Sequence, residues 1–121
     1  MRVLVVDDSP TMQDIILATL RSENLEVLQA EHGVAALKVL AKATPDLIIT
    51  DLNMYKMDGF EFVSRVRQLP EHEFTPILFL TTESAEDLKQ FGRQVGATGW
   101  IEKPFDPREL IEVVRSVLQY A

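Results

Sequence analysis

Six side chains suited to phosphate or metal chemistry stand directly after short apolar stretches of the sequence. They are Asp7 and Asp8, Asp51, Thr81 and Thr82, and Lys103. If those stretches are strands of one parallel sheet, their carboxyl ends share an edge, which is where ligands bind in such sheets. Neighbouring strands lie only about 4.8 Å apart. With the first strand beside the third, the three aspartates would therefore converge.

Three converging carboxylates predict a bound cation. At 4 Å and an effective dielectric constant near 20, each pair of carboxylates repels by roughly 4 kcal/mol, so fold stability alone gives no reason for the cluster. A hard divalent cation offsets the repulsion, and Mg²⁺ suits a site that has few carboxylates and keeps some water. His32 and His72 are not placed to join the cluster, and we expect both to face solvent, which argues against zinc.

The same residues are suited to phosphoryl transfer. An aspartate can act as a nucleophile and form an acyl phosphate, and Asp51 is the candidate. The transfer needs positive charge and hydrogen-bond donors around the moving oxygens. Mg²⁺, Lys103 and the hydroxyl of Thr81 can supply both.

Five strands alternating with five helices are expected to position these residues. The predicted strands are Arg2–Val6, Glu26–Ala30, Leu47–Thr50, Ile77–Thr81 and Gly99–Glu102. Near-continuous apolar runs such as residues 77–80 are typical of strands buried on both faces of a parallel sheet. Right-handed connections then place helices on both faces of the sheet. We expect residues 1–121 to form one domain.

Helix ends are marked by capping residues and by glycine. The predicted starts are Ser9 before Pro10, Asp106 before Pro107, and Ser84–Asp87 with two acids in the first turn. Gly96 is placed to end the fourth helix.

Composition narrows the class of protein. The net charge of −7 disfavours direct binding to nucleic acid or to an anionic membrane. No apolar run approaches the roughly 20 residues that span a bilayer. The chain has no cysteine, which excludes disulfides and thiolate metal sites. A cytoplasmic location and a monomer are the expectations.

Four motifs, taken together, resemble those of the response-regulator receiver domains of two-component signalling. They are VVDDS at residues 5–9, DLNMYKMDG at 51–59, TTE at 81–83 and KPF at 103–105. The resemblance covers the whole chain in order and at the family's spacing. It implies a flavodoxin-like fold with five parallel strands in the order 2-1-3-4-5.

The resemblance also implies a role for each matching residue. Asp51 would be the phosphoacceptor. Asp8 and Asp51 would bind Mg²⁺ directly, Asp7 would act largely through metal-bound water, and Asn53 would lend its backbone carbonyl. Thr81 would hydrogen-bond the phosphoryl group and Lys103 would pair with its charge. Trp100 matches the position of a switch aromatic that moves inward on phosphorylation, although a plain packing role fits its residue type as well.

Within the family, Asn53 and Glu83 are similar to the residues of chemotaxis-type single-domain receivers, where these two positions influence loss of the phosphoryl group. Such a receiver would take its phosphoryl group from a histidine kinase or histidine phosphotransfer protein. It would act on a protein such as a flagellar motor switch component, through the fourth helix, fifth strand and fifth helix. It would catalyse only its own phosphorylation and dephosphorylation, so it would not be an enzyme in the usual sense.

Three residues depart from the family pattern. Tyr55 stands where proline is usual, Thr82 where a small residue is usual, and Trp100 is bulkier than the usual tyrosine or phenylalanine. We expect Tyr55 to alter the loop after Asp51, Thr82 to narrow access to it, and Trp100 to limit rotation of the switch.

Other functions are less well supported by the residues. Aspartate-dependent phosphatases of the haloacid dehalogenase type need a second aspartate two residues after the nucleophile, where this chain has Asn53. Flavin binding needs a Ser/Thr/Gly-rich phosphate loop after the first strand, and Asp7 and Asp8 would repel a phosphate there. A phosphorylation-independent adaptor, or a receiver that forms part of a larger DNA-binding or enzymatic regulator, remain alternatives.

Overall fold

The computed structural model describes residues 1–118, in which five strands alternate with five helices. In chain order the elements are β1 (Arg2–Val6), α1 (Pro10–Arg21), β2 (Glu26–Ala30), α2 (Gly33–Leu40), β3 (Leu47–Thr50), α3 (Gly59–Arg67), β4 (Ile77–Thr81), α4 (Glu86–Val95), β5 (Gly99–Glu102) and α5 (Pro107–Leu118), with a 3₁₀ turn at Pro70–His72. All five strands have the bounds predicted from the sequence. The last three residues of the expected domain, 119–121, lie outside the described part.

The strands form one parallel sheet in the order β2-β1-β3-β4-β5, as the resemblance implied. Pairing of Val6 with Thr50 aligns the ends of β1 and β3, so the residues that follow them are neighbours. The N–H of Asp51 donates to the carbonyl of Val6 at 2.9 Å, and this bond extends the ladder to the first residue beyond β3. The register therefore places Asp7, which follows β1, next to Asp51, which follows β3.

The sheet separates two apolar cores because successive side chains of a strand point to opposite faces. Leu4 and Val6 pack with side chains from α2 and α3, whereas Val3 and Val5 pack with side chains from α1 and α5. All four of these β1 side chains are at most 1% exposed. The sheet is thus covered on both faces, and its edge at the strand ends is left for the polar site.

Most of the predicted helix ends are confirmed. Ser9 caps α1, its hydroxyl accepting the N–H of Met12 at 3.3 Å, and Asp106 accepts the N–H of Arg108 at 2.8 Å at the start of α5. Gly96 ends α4 with a left-handed φ of 118°. The predicted start within Ser84–Asp87 is confirmed as well: α4 begins at Glu86 and carries the two acids in its first turn, although Ala85 stands at the N-cap and no side chain caps the helix.

The expectation that both histidines face solvent was wrong. His72 is 1% exposed, and its Nδ1 lies 2.9 Å from the hydroxyl of Thr75. The guanidinium of Arg67 donates to the carbonyls of His72 and Thr75 and so holds this segment against the end of α3. His32 is half-buried and caps α2, its Nδ1 accepting the N–H of Ala35 at 3.1 Å.

No helix within residues 1–118 has the length and apolar character needed to cross a membrane.

Candidate functional site

Three aspartates meet at the carboxyl edge of the sheet. One carboxylate oxygen from each of Asp7, Asp8 and Asp51 lies within 4.8 Å of the other two. Asp7 is buried, Asp51 is half-buried and Asp8 is exposed, so the cluster opens to solvent on one side. Asp7 and Asp8 directly follow β1, and Asp51 directly follows β3. The structure therefore brings together the three acids that the sequence singled out.

Lys103 supplies the positive charge of this cluster. Its Nζ lies 3.0 Å from Oδ2 of Asp7 and 3.5 Å from Oδ2 of Asp51, and all three side chains are largely shielded from solvent. The backbone N–H of Lys103 donates to the carbonyl of Thr81 at 2.8 Å and holds the end of β5 against β4. The peptide bond to Pro104 is cis. Because Lys103 carries a single positive charge, it neutralises only part of the charge of the three carboxylates.

Burial raises the pKa of Asp51, and the charge of Asp7 raises it further, while Lys103 acts in the opposite direction. The N–H of Leu52 donates to Oδ1 of Asp51 at 2.7 Å and fixes the carboxylate against its own backbone. A raised pKa makes the carboxylate a stronger base than an exposed aspartate. The cluster is short of positive charge, and a divalent cation beside Asp51 would correct this.

A cleft of about 160 Å³ opens beside Asp7 and Asp8. Its walls include the acids Asp14 and Glu31 and the neutral Gln13, and no basic residue of the described chain lines it. Oxygen ligands, excess negative charge and an open side that admits water are the conditions that Mg²⁺ requires. The donor set therefore fits this cation.

The switch candidates Thr81 and Trp100 both bind the backbone of Glu83. The hydroxyl of Thr81, which is fully buried, accepts the N–H of Glu83 at 3.3 Å. The indole N–H of Trp100 donates to the carbonyl of the same residue at 2.7 Å. The Trp100 ring packs on Phe79, with ring centroids 5.2 Å apart, and over Gly92 of α4. This aromatic ring is half-buried and held in place.

Three further predicted residues lie on the loops that follow β3 and β4. Asn53 is exposed, and its backbone N–H hydrogen-bonds the carboxylate of Asp51, which lowers the pKa of that group. Tyr55 is 65% exposed, and the ammonium of Lys56 lies 5.5 Å from the centre of its ring. Thr82 is exposed. The effects on phosphoryl transfer expected of Tyr55, Thr82 and Glu83 stay predictions.

Sequence reasoning missed residues that shape the site through close contact. A Cβ added at Gly59 would lie 2.7 Å from the carbonyl oxygen of Asp51, so only glycine lets the start of α3 approach this loop. The preceding residue, Asp58, caps α3 by accepting the N–H of Glu61 at 2.8 Å. Gln13, which binds the carbonyl of Asp7, carried no signal in the sequence.

Comparison with known proteins agrees with this geometry. The sequence-family model of the response regulator receiver domain matches residues 3–115 of this chain. A chemotaxis protein CheY homolog of Campylobacter jejuni is 42% identical over 120 residues, which cover 98% of this chain and 92% of that protein. The crystallised chemotaxis protein CheY4 of Vibrio cholerae is 46% identical, with a TM-score of 0.93 over 96% of this chain and 97% of the other.

A second solved structure bears on the metal. The receiver domain of the sensor histidine kinase PA1611 from Pseudomonas aeruginosa is 25% identical, with a TM-score of 0.90 over 98% of each chain, and holds a magnesium ion in its active site cleft.

Proposed function

Because the chain belongs to the response regulator receiver family of two-component signalling, we propose that it accepts a phosphoryl group on Asp51 from a histidine kinase or histidine phosphotransfer protein. The observation that carries the proposal is the convergence of Asp7, Asp8 and Asp51, with Lys103 paired to Asp7 and Asp51. Such a cluster of like charges is costly unless a cation binds to it. The protein is a signalling component, and the only reactions we propose for it are its own phosphorylation and dephosphorylation.

Asp8, Asp51 and the backbone carbonyl of Asn53 would hold Mg²⁺, with Asp7 completing the acidic surroundings. When bound, the cation neutralises the negative charge that builds up on the transferring oxygens. An oxygen of Asp51 attacks the phosphorus of the phosphohistidine donor. The new P–O bond forms as the donor's P–N bond breaks, and the electron pair and a proton stay with the donor imidazole.

Lys103 and Thr81 then bind the product. Lys103 already lies 3.5 Å from Asp51 and pairs with the added charge. The hydroxyl of Thr81 accepts a hydrogen bond from Glu83 and keeps its own hydrogen available to donate to a phosphoryl oxygen. A phosphoryl oxygen on Asp51 is a strong hydrogen-bond acceptor, so it would draw the hydroxyl of Thr81 toward the site.

The response reaches the surface through Glu83. Thr81 and Trp100 bind the N–H and the carbonyl of this residue, which lies just before α4. Movement of Thr81 toward the phosphoryl group biases this loop, and with it the partner-binding state of the α4–β5–α5 face. Near-complete switching from 1:99 to 99:1 would need about 5.5 kcal/mol of differential interaction.

Chemotaxis is the setting we propose, because relatives that match over nearly their whole length are named as chemotaxis proteins. A downstream protein such as a flagellar motor switch component is the corresponding partner. The cytoplasmic location and the monomer stay predictions.

Fluorescence of Trp100, the only tryptophan, tests the proposal. Mg²⁺ together with beryllofluoride, a phosphoryl mimic, should change the emission, because the indole binds the loop that Thr81 controls. D51N is the matched control and should not respond to beryllofluoride. An unchanged emission in the native protein, or an equal change in D51N, would contradict the coupling of Asp51 to Trp100.

A further inference from the structure

Gln13 of α1 joins the ends of two strands. Its Nε2 donates to the carbonyl of Ala30 at 2.9 Å and also to the carbonyl of Asp7. Both partners can only accept, so the amide nitrogen, and not its oxygen, faces them. The carbonyl of Ala30 accepts the N–H of Asp7 as well, at 3.1 Å. A single side-chain amide therefore ties the end of β2 to the chain that leaves β1.

The carbonyl of Asp7 belongs to the peptide unit that carries Asp8. The side chain of Asp7 is held separately, by the N–H of Ser9 at 2.8 Å and by Lys103. The carboxylate of Asp8 is exposed, and no hydrogen bond or ion pair fixes it within residues 1–118. Its direction is therefore set by its backbone, and Gln13 orients the peptide unit that precedes it.

We propose that Gln13 is a positioning residue for the cation: it fixes the Asp7–Asp8 peptide so that the free carboxylate of Asp8 points toward Asp51. The inference rests on the proposed Mg²⁺ site. Gln13 also lines the cleft beside Asp8 and adds no charge to it. Groups that orient metal ligands typically change metal affinity when they are removed, although they never touch the ion.

Replacement of Gln13 by methionine tests this, because Q13M keeps the length of the side chain and removes both hydrogen bonds. We expect the dissociation constant for MgCl₂, measured by isothermal titration calorimetry, to rise by about 10-fold. Q13A removes the same bonds without a bulky replacement and should give a rise in the same direction. Q94M, the same change at an exposed glutamine of α4, is the control and should bind MgCl₂ as the native protein does.

A second readout separates positioning from a general loss of structure. In phosphorylation by acetyl phosphate, Q13M should need more Mg²⁺ to reach half of its maximal rate, whereas the maximal rate at saturating Mg²⁺ should match that of the native protein. Metal-free unfolding should show that Q13M folds cooperatively. If Q13M does not fold, Q13A takes its place in both measurements.

The possible failures are distinct. If the native protein does not bind MgCl₂, the proposed function fails. If it binds, and the folded Gln13 variants bind MgCl₂ with unchanged affinity, the positioning role is overturned and the proposed function stands. A fall in maximal rate with no shift in the Mg²⁺ requirement would also overturn the positioning role.

Discussion

Trp100 and Glu83 are joined by a hydrogen bond in which the indole Nε1–H donates to the backbone carbonyl at 2.7 Å. The N–H of Glu83 in turn donates to the hydroxyl of Thr81 at 3.3 Å. The two backbone groups of one residue thus connect the threonine beside the acidic edge with the tryptophan of β5. Because an indole is a donor only, the ring depends on that carbonyl to satisfy its N–H.

The first prediction concerns this bond. W100F keeps an aromatic ring but removes the donor, leaving the carbonyl of Glu83 without its partner. We expect the free energy of unfolding to fall by about 1–3 kcal/mol, measured by urea denaturation followed by circular dichroism. An unchanged free energy would show that the bond does not contribute to stability.

Gly92 gives the second prediction, because it makes room for the same ring. A Cβ added there would lie 3.0 Å from Cζ3 of Trp100 and 3.4 Å from Phe79. In G92A the gain in helix propensity, about 1 kcal/mol, is opposed by an overpacking cost of about 1–3 kcal/mol.

The smaller ring of W100F should relieve that contact. G92A should therefore change the free energy of unfolding more favourably in the W100F background than in the native protein. A double-mutant cycle of unfolding free energies should give a coupling above about 0.5 kcal/mol. Additive effects would contradict the packing of Trp100 on Gly92.

The third prediction is a pH dependence that arises from Asp51. Burial raises the pKa of this carboxyl in the folded protein, whereas the unfolded chain keeps the ordinary value of 3.8. The folded state therefore binds the proton more tightly, and its stability falls as the pH rises through the folded pKa. D51N removes this loss, so in metal-free buffer it should be more stable than the native protein at pH 7.

That advantage of D51N should disappear as the pH falls toward 3.8, which urea denaturation at a series of pH values can measure. D14N, a change at an exposed acid of the neighbouring cleft, controls for the lost charge. Saturating Mg²⁺ should reduce or reverse the advantage, because the native protein binds the cation and D51N lacks one ligand. An advantage that does not vary with pH would contradict the raised pKa.

The fourth prediction concerns His72, whose contribution to stability changes with pH in the opposite direction to that of Asp51. Burial lowers the pKa of His72 below its ordinary value of 6.5, so the unfolded state binds the proton more tightly. The contribution of His72 to stability is complete above pH 6.5 and is lost as the pH falls through the folded pKa.

H72L should therefore lose less stability than the native protein between pH 7 and about pH 5. Parallel curves for H72L and the native protein would contradict the burial of a neutral His72.

The strands were predictable to the residue because most are short apolar runs with a polar side chain at their end or just after it. Convergence of the acids followed from parallel topology once β1 was placed beside β3. The burial of His72 was not predictable, because it depends on Arg67 binding two carbonyls in a polar stretch that reads as a loop. The same limit hid the amide bridge of Gln13 and the fit of Gly92 under Trp100, which exist only after folding.

Transfer of a phosphoryl group to Asp51 is the central claim, and intact mass tests it most directly. The native protein, incubated with Mg²⁺ and acetyl phosphate, should gain the mass of one phosphoryl group. D51N and the native protein in excess chelator should gain none. No gain in the native protein, or an equal gain in D51N, would contradict the account.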